Sequence, residues 1–159
     1  VRTLAEKTGR RLKRAKAMLV TAESCTGGWV AQAVTSVAGS SAWFERGFVT
    51  YSNAAKQELL GVRQSTLRKY GAVSEETARE MAAGALKRGR GTLAAAVTGV
   101  AGPGGGSPAK PVGMVCFAWA GRRGRLRSET RRFRGGREAV RRQSVIRALE
   151  GVLEFLEGA

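Results

Sequence analysis

The stretch Thr92-Leu-Ala-Ala-Ala-Val-Thr98 limits the fold more than any other part of this chain. It is built of small and β-branched residues, has no polar face and is too short for an ordinary helix. It reads as a strand buried on both sides, which requires a sheet sandwiched between helices. The run leads into Gly99-Val-Ala-Gly-Pro-Gly-Gly-Gly-Ser-Pro108, a glycine-rich loop. A second unit has a related form: a buried strand over 17–22, the turn Glu23-Ser-Cys-Thr-Gly-Gly28, and a helix over 29–37. Strands are also expected over 47–51, 112–120 and 126–133, the last two as a hairpin joined by an Arg/Gly turn. Residues 3–16 place Leu4, Ala5, Thr8 and Leu12 on one helical face. A helix after Ser74 has Glu75 and Glu76 in its first turn, an apolar stripe at Ala78, Met81, Ala82, Ala85 and Leu86, and a basic last turn before Gly89. A short helix over 54–60 ends at Gly61, residues 62–73 read as a polar connection, and 136–156 form the last helix. This alternation predicts a single domain over 1–159, a three-layer α/β/α fold around a mixed sheet.

Composition narrows the chemistry. The chain has no histidine, and all 12 of its acids are glutamate. Triads of the Ser-His-Asp or Cys-His kind are therefore excluded within one chain. Two cysteines without histidine do not supply four ligands, so no metal is expected, and no cofactor. The thiols fit a reducing, cytoplasmic setting, and no run is long enough to span a membrane. The net charge of +16 points to a phosphorylated small molecule or to nucleic acid.

Around residues 39–56 a serine pair (Ser40, Ser41), a phenol (Tyr51) and an amine (Lys56) flank one predicted strand. Serine with a desolvated lysine hydrolyses amides without histidine. At the turn 23–28, Ser24, Thr26, Gly27 and Gly28 offer hydroxyls and backbone amides at a helix start. The loop opening at Gly99 is neither a Walker A element nor a dinucleotide fingerprint, but its glycines let amides approach an anion closely. Arg137 and Arg141 lie four residues apart at the start of the last helix, where the dipole disfavours cations. A bound phosphate would convert that penalty into binding energy.

Four segments in order carry a resemblance: Thr21-Ala-Glu-Ser-Cys-Thr-Gly-Gly28, Gly39-Ser-Ser41 through Asn53 with Lys56, Gly71-Ala-Val-Ser74, and Thr98-Gly-Val-Ala-Gly-Pro-Gly-Gly-Gly-Ser107 with Lys110-Pro-Val-Gly113. Together they closely resemble the nicotinamide-nucleotide amidases of the CinA C-terminal domain family, over about residues 3–156. The resemblance implies deamidation of nicotinamide mononucleotide to nicotinate mononucleotide and ammonia. It matches the catalytic serine to Ser41, with Tyr51 and Lys56 beside it, and matches Thr98, Arg137 and Arg141 to substrate binding. The chain departs from the family pattern at Gly104 and Gly136, where relatives often carry an acid. Ser24 or Cys25 as nucleophile stays open at this point. The expected partner is a small nucleotide substrate, in a homo-oligomer and away from membranes. The alternative, a basic nucleic-acid-binding module without amidase activity, is disfavoured because only Phe133 interleaves the ten arginines of 122–142.

Overall fold

The sheet consists of β1 (Leu19–Glu23), β2 (Phe44–Val49), β3 (Leu93–Gly99), β4 (Met114–Gly121) and β5 (Leu126–Arg132) in the computed structural model, which describes residues 1–158. Its lateral order is β2-β1-β3-β4-β5. β1 is parallel to both β2 and β3, whereas β4 is antiparallel to β3 and β5. The sheet is mixed, and its three parallel strands all end on the same side. Open α/β sheets form their ligand crevices at that side.

Successive side chains of a strand face opposite layers, so each inner strand feeds two cores. Leu19, Val97 and Phe117 pack against α1 (Arg2–Arg14), α2 (Trp29–Thr35) and α6 (Arg137–Glu157) through Leu12, Val34 and Leu149. Val20, Ala96 and Ala118 pack against α3 (Asn53–Leu60), α4 (Gln64–Tyr70) and α5 (Glu75–Arg88) through Leu60, Leu67 and Met81. The three-layer expectation holds. α6 approaches the sheet closely because residue 151 is glycine: a Cβ there would sit 1.9 Å from the Trp119 ring.

Two boundaries differ from the sequence reading. β2 begins at Phe44 rather than 47, because Leu19 N–H already bonds the Trp43 carbonyl. The stretch read as a polar connection holds α4. That helix buries only Thr66 and Leu67, too little for a periodic signal, and Glu80 of α5 accepts from Arg63 N–H and the Thr66 hydroxyl at its start.

Candidate active site

At the carboxyl ends of the parallel strands lies a cavity of about 300 Å³. β1 delivers Ser24, whose N–H donates to the Val97 carbonyl of β3 at 3.0 Å and so fixes the residue between the two strands. β2 runs out through Thr50 and Tyr51 to Ser52, whose hydroxyl caps α3 by accepting from Ala55 N–H. That cap aims the first turn of α3 at the cavity. Its Lys56 is only 1% exposed. Lys56 Nζ donates to Ser24 Oγ at 3.1 Å, to the Thr50 carbonyl at 3.0 Å and to the Tyr51 carbonyl at 3.4 Å. A serine and a lysine 32 residues apart thus become hydrogen-bonded partners.

Burial lowers the Lys56 pKa below that of a free lysine, with the neighbouring Cys25 acting in the opposite sense. Among the described residues no carboxylate lines the cavity around the amine. The Cys25 thiol is pushed up to about 12, first by desolvation. It is therefore a neutral thiol near pH 7, a poor nucleophile beside Ser24.

The third strand adds Thr98 and Gly99. Thr98 donates its hydroxyl to the Ala72 carbonyl at 2.8 Å, tying β3 to the Ala72–Val73 wall. At position 99 a Cβ would lie 2.7 Å from Val115 Cγ2, so only glycine permits the strand to turn here beside β4. The loop closing the cavity includes Gly104 and Gly105, whose N–H groups donate to no protein acceptor among the described residues. Arg137 enters from α6. It donates to the Gly102 carbonyl at 2.6 Å and to the Tyr51 phenol oxygen at 3.1 Å. With Lys56 and Arg137 in its lining and no acid there among the described residues, the cavity is electropositive.

The cavity therefore gathers Ser24, Tyr51, Lys56, Thr98, Gly99 and Arg137. Four expected residues lie elsewhere. Ser41 sits exposed in a single 3-10 turn, Ser40–Ala42, before β2 begins, while Lys56 follows where β2 ends. Six strand residues separate the two ends by about 20 Å, so one chain cannot bring them together. Arg141 spends its guanidinium on the Cys25 and Thr26 carbonyls, both at 3.1 Å, and stacks near Trp29. Thr26 and Gly27 belong to the α2 cap rather than the cavity: Thr26 Oγ1 donates to Glu23, and Gly27 adopts φ 59°. The phenol of Tyr51 faces Arg137, and the residue meets Lys56 through its carbonyl instead.

Glu23 was not singled out from the sequence. It is 1% exposed and accepts from Thr26 Oγ1 and from the N–H groups of Gly28, Val30 and Ala31. One carboxylate thereby caps α2, which has no side-chain cap at Gly28. A buried acid at a strand end followed by glycines was the available signal. Asn53 also lines the cavity and carried no sequence signal.

Comparison with known proteins adds an independent line. A family model described as the CinA C-terminal domain matches residues 1–156. The chain is 56% identical over 147 residues to nicotinamide-nucleotide amidohydrolase PncC of Escherichia coli (strain K12), spanning 92% of this chain and 89% of that protein. It is 55% identical over 155 residues to the Pseudomonas putida protein of the same name, spanning 98% and 96%. Among solved structures, the competence/damage inducible protein CihA from Agrobacterium tumefaciens superposes with a TM-score of 0.94 at 48% identity, covering 98% of this chain and 94% of that one. The competence or damage-inducible protein from Enterobacter asburiae gives 0.92 at 37% identity, covering 96% of each.

Proposed function

The chain belongs to the CinA C-terminal domain family, and from that premise we propose that it hydrolyses the carboxamide of nicotinamide mononucleotide, with Ser24 as nucleophile and Lys56 as its base. The observation that carries this reading is the 3.1 Å contact between Lys56 Nζ and Ser24 Oγ in a buried setting. In the neutral amine two hydrogens remain on the Thr50 and Tyr51 carbonyls, and the lone pair faces the Ser24 hydroxyl. Ser24 Oγ attacks the carboxamide carbon while its proton passes to Lys56. The oxyanion forms within reach of the uncommitted Gly104 and Gly105 amides of the glycine loop. Collapse of the tetrahedral intermediate breaks the C–N bond, and the Lys56 proton leaves with ammonia. Water then attacks the acyl-serine ester, Lys56 takes its proton, and nicotinate mononucleotide is released with Ser24 restored.

Arg137 fits the substrate's 5′-phosphate, because it is the cation at the cavity mouth and sits in the first turn of α6. Tyr51 holds that guanidinium in place through its phenol oxygen. The residues at this site supply both nucleophile and base from protein side chains, so the proposed cycle uses no metal. The test is ammonia release from nicotinamide mononucleotide by the purified protein and by its Ser24→Ala and Lys56→Met variants. Wild-type turnover with loss of at least about a thousandfold in both variants is the expected result for a nucleophile–base pair. Turnover near the wild-type rate in Ser24→Ala would overturn the assignment.

A further inference from the structure

We propose that a cavity at the opposite end of the sheet is a second ligand site, and that it takes a nucleoside polyphosphate. At the amino ends of β1 and β3, where α1 ends and the β4–β5 turn meets the last turns of α6, lies a space of about 370 Å³. Leu93 and Phe155 contribute apolar lining, and Lys16, Arg122, Arg123 and Arg125 contribute four cations. Among the described residues no acid lines it. From Leu93 to Gly99, β3 carries the chain about 20 Å, so this space is separate from the one holding Ser24 and Lys56.

Two of the cations stand on backbone that favours other residues. α1 ends in a Schellman motif: Ala17 N–H donates to the Leu12 carbonyl and Lys16 N–H to the Lys13 carbonyl, with Lys16 at φ 54°. Arg123, at φ 61°, and Gly124, at φ 73°, form a hairpin loop closed by Arg125 N–H on the Arg122 carbonyl. Glycine is usual at the first of these places, and asparagine, aspartate or glycine at the second. Ten glycines adopt positive φ in this chain. Lys16 and Arg123 are the only other described residues that do, and both line this one cavity. Such positions cost stability and persist where the side chain has a use. That use is not an internal contact. Of the four cations only Arg125 has a side-chain hydrogen-bond partner among the described residues, the Phe155 carbonyl at 2.8 Å.

Arg125 decides the kind of ligand. Its guanidinium carbon lies 3.9 Å from the centroid of the Phe155 ring. A guanidinium stacked on a ring on one side can take a flat base on the other. The three uncommitted cations beside it match the charge of a di- or triphosphate, and arginine forks bond phosphate oxygens in pairs. A bare anion would use the cations and leave the apolar lining idle.

Calorimetric titration with adenosine 5′-triphosphate tests this. Lys16→Gly and Arg123→Gly separate ligand from fold, because glycine suits both backbones. Each should raise the thermal midpoint and leave turnover of nicotinamide mononucleotide unchanged without the triphosphate. Each should also weaken binding about tenfold or more, the scale of one lost charge-assisted contact. Arg68→Gln, which removes an exposed cation of α4, and Arg137→Ala, in the substrate cavity, should bind as wild type does. Absence of binding to wild type, or unchanged binding in both glycine variants, would overturn the proposal. An equal loss in Arg68→Gln would reduce it to diffuse attraction to a basic surface, and a loss confined to Arg137→Ala would move the ligand to the substrate cavity. Inorganic tripolyphosphate binding as tightly would remove the nucleoside, and any of these three results also overturns the site. The readout is affinity, so it stands or falls apart from the chemistry assigned to Ser24 and Lys56.

Discussion

A lysine enclosed by two carbonyls and a hydroxyl, without a facing carboxylate, is costly to keep charged, and that cost has two measurable consequences. The first is kinetic. The rate should rise with pH through one ionisation below the ordinary lysine range of about 10.4, because in the proposed cycle only the neutral amine accepts the Ser24 proton. Lys56→Arg stays charged at every accessible pH and should be inactive throughout. The second is thermodynamic. The folded pKa lies below the unfolded one, so between the two values the unfolded chain holds a proton the folded chain has released. Stability should therefore rise with pH across that window. Lys56→Met should abolish turnover yet raise stability by about 1 kcal/mol at neutral pH, as measured by denaturant unfolding. Arg137 makes a separate prediction. Arg137→Ala should cost about 1.5–3 kcal/mol in kcat/KM for the nucleotide and little for the phosphate-free riboside. Equal losses on both would assign the phosphate to another group, the glycine loop first.

Among the elements, α2 depends most on one side chain. Glu23→Ala removes the acceptor of four hydrogen bonds and leaves buried amides at the helix start unpartnered. The expected loss is about 2–4 kcal/mol in equilibrium unfolding, with Glu23→Gln recovering part of it. A loss under about 0.5 kcal/mol would show that water replaces the carboxylate. The elements themselves were mostly legible in the sequence. α5 announced itself through the Ser74 cap, its acidic first turn and its apolar stripe, and β3 through seven residues without a polar face. α4 was not legible, because its start is held by Glu80 from another helix rather than by a local pattern. The site shows the same divide. Lys56 and Ser24 could each be named, but their meeting depends on β1 and β2 running parallel, a long-range fact. Ser41 is matched to the site by sequence proximity to Lys56 and by the family resemblance, and the strand between the two places them at opposite ends within one chain. Arg141 reads from the sequence as one half of a phosphate-binding pair, whereas the Cys25 and Thr26 carbonyls occupy its guanidinium.

At the scale of the whole molecule, the basic excess is partly consumed inside the fold. Arg147, 7% exposed, joins α6 to β5 through Glu129 and also binds Glu154, while Trp119 lies beneath it. Arg147, first, and Arg127 hold the Glu154 carboxyl down at about 2, against an ordinary 4.5. A depressed acid contributes stability above its unfolded pKa and loses it as pH falls, so this contribution should fade between about 4.5 and 2. Arg147→Ala should destabilise by about 2 kcal/mol at neutral pH, less than a fully enclosed pair because both carboxylates reach solvent. It should also flatten the acid limb of the stability profile. Remote from this cluster, the sheet brings three parallel strand ends to one cavity, and the central claim is that Ser24 there carries the acyl group. The most direct measurement is peptide mapping by mass spectrometry of protein acid-quenched during turnover of nicotinamide mononucleotide. The account predicts a nicotinate-nucleotide ester on Ser24, whereas the same adduct on Ser41 would contradict it.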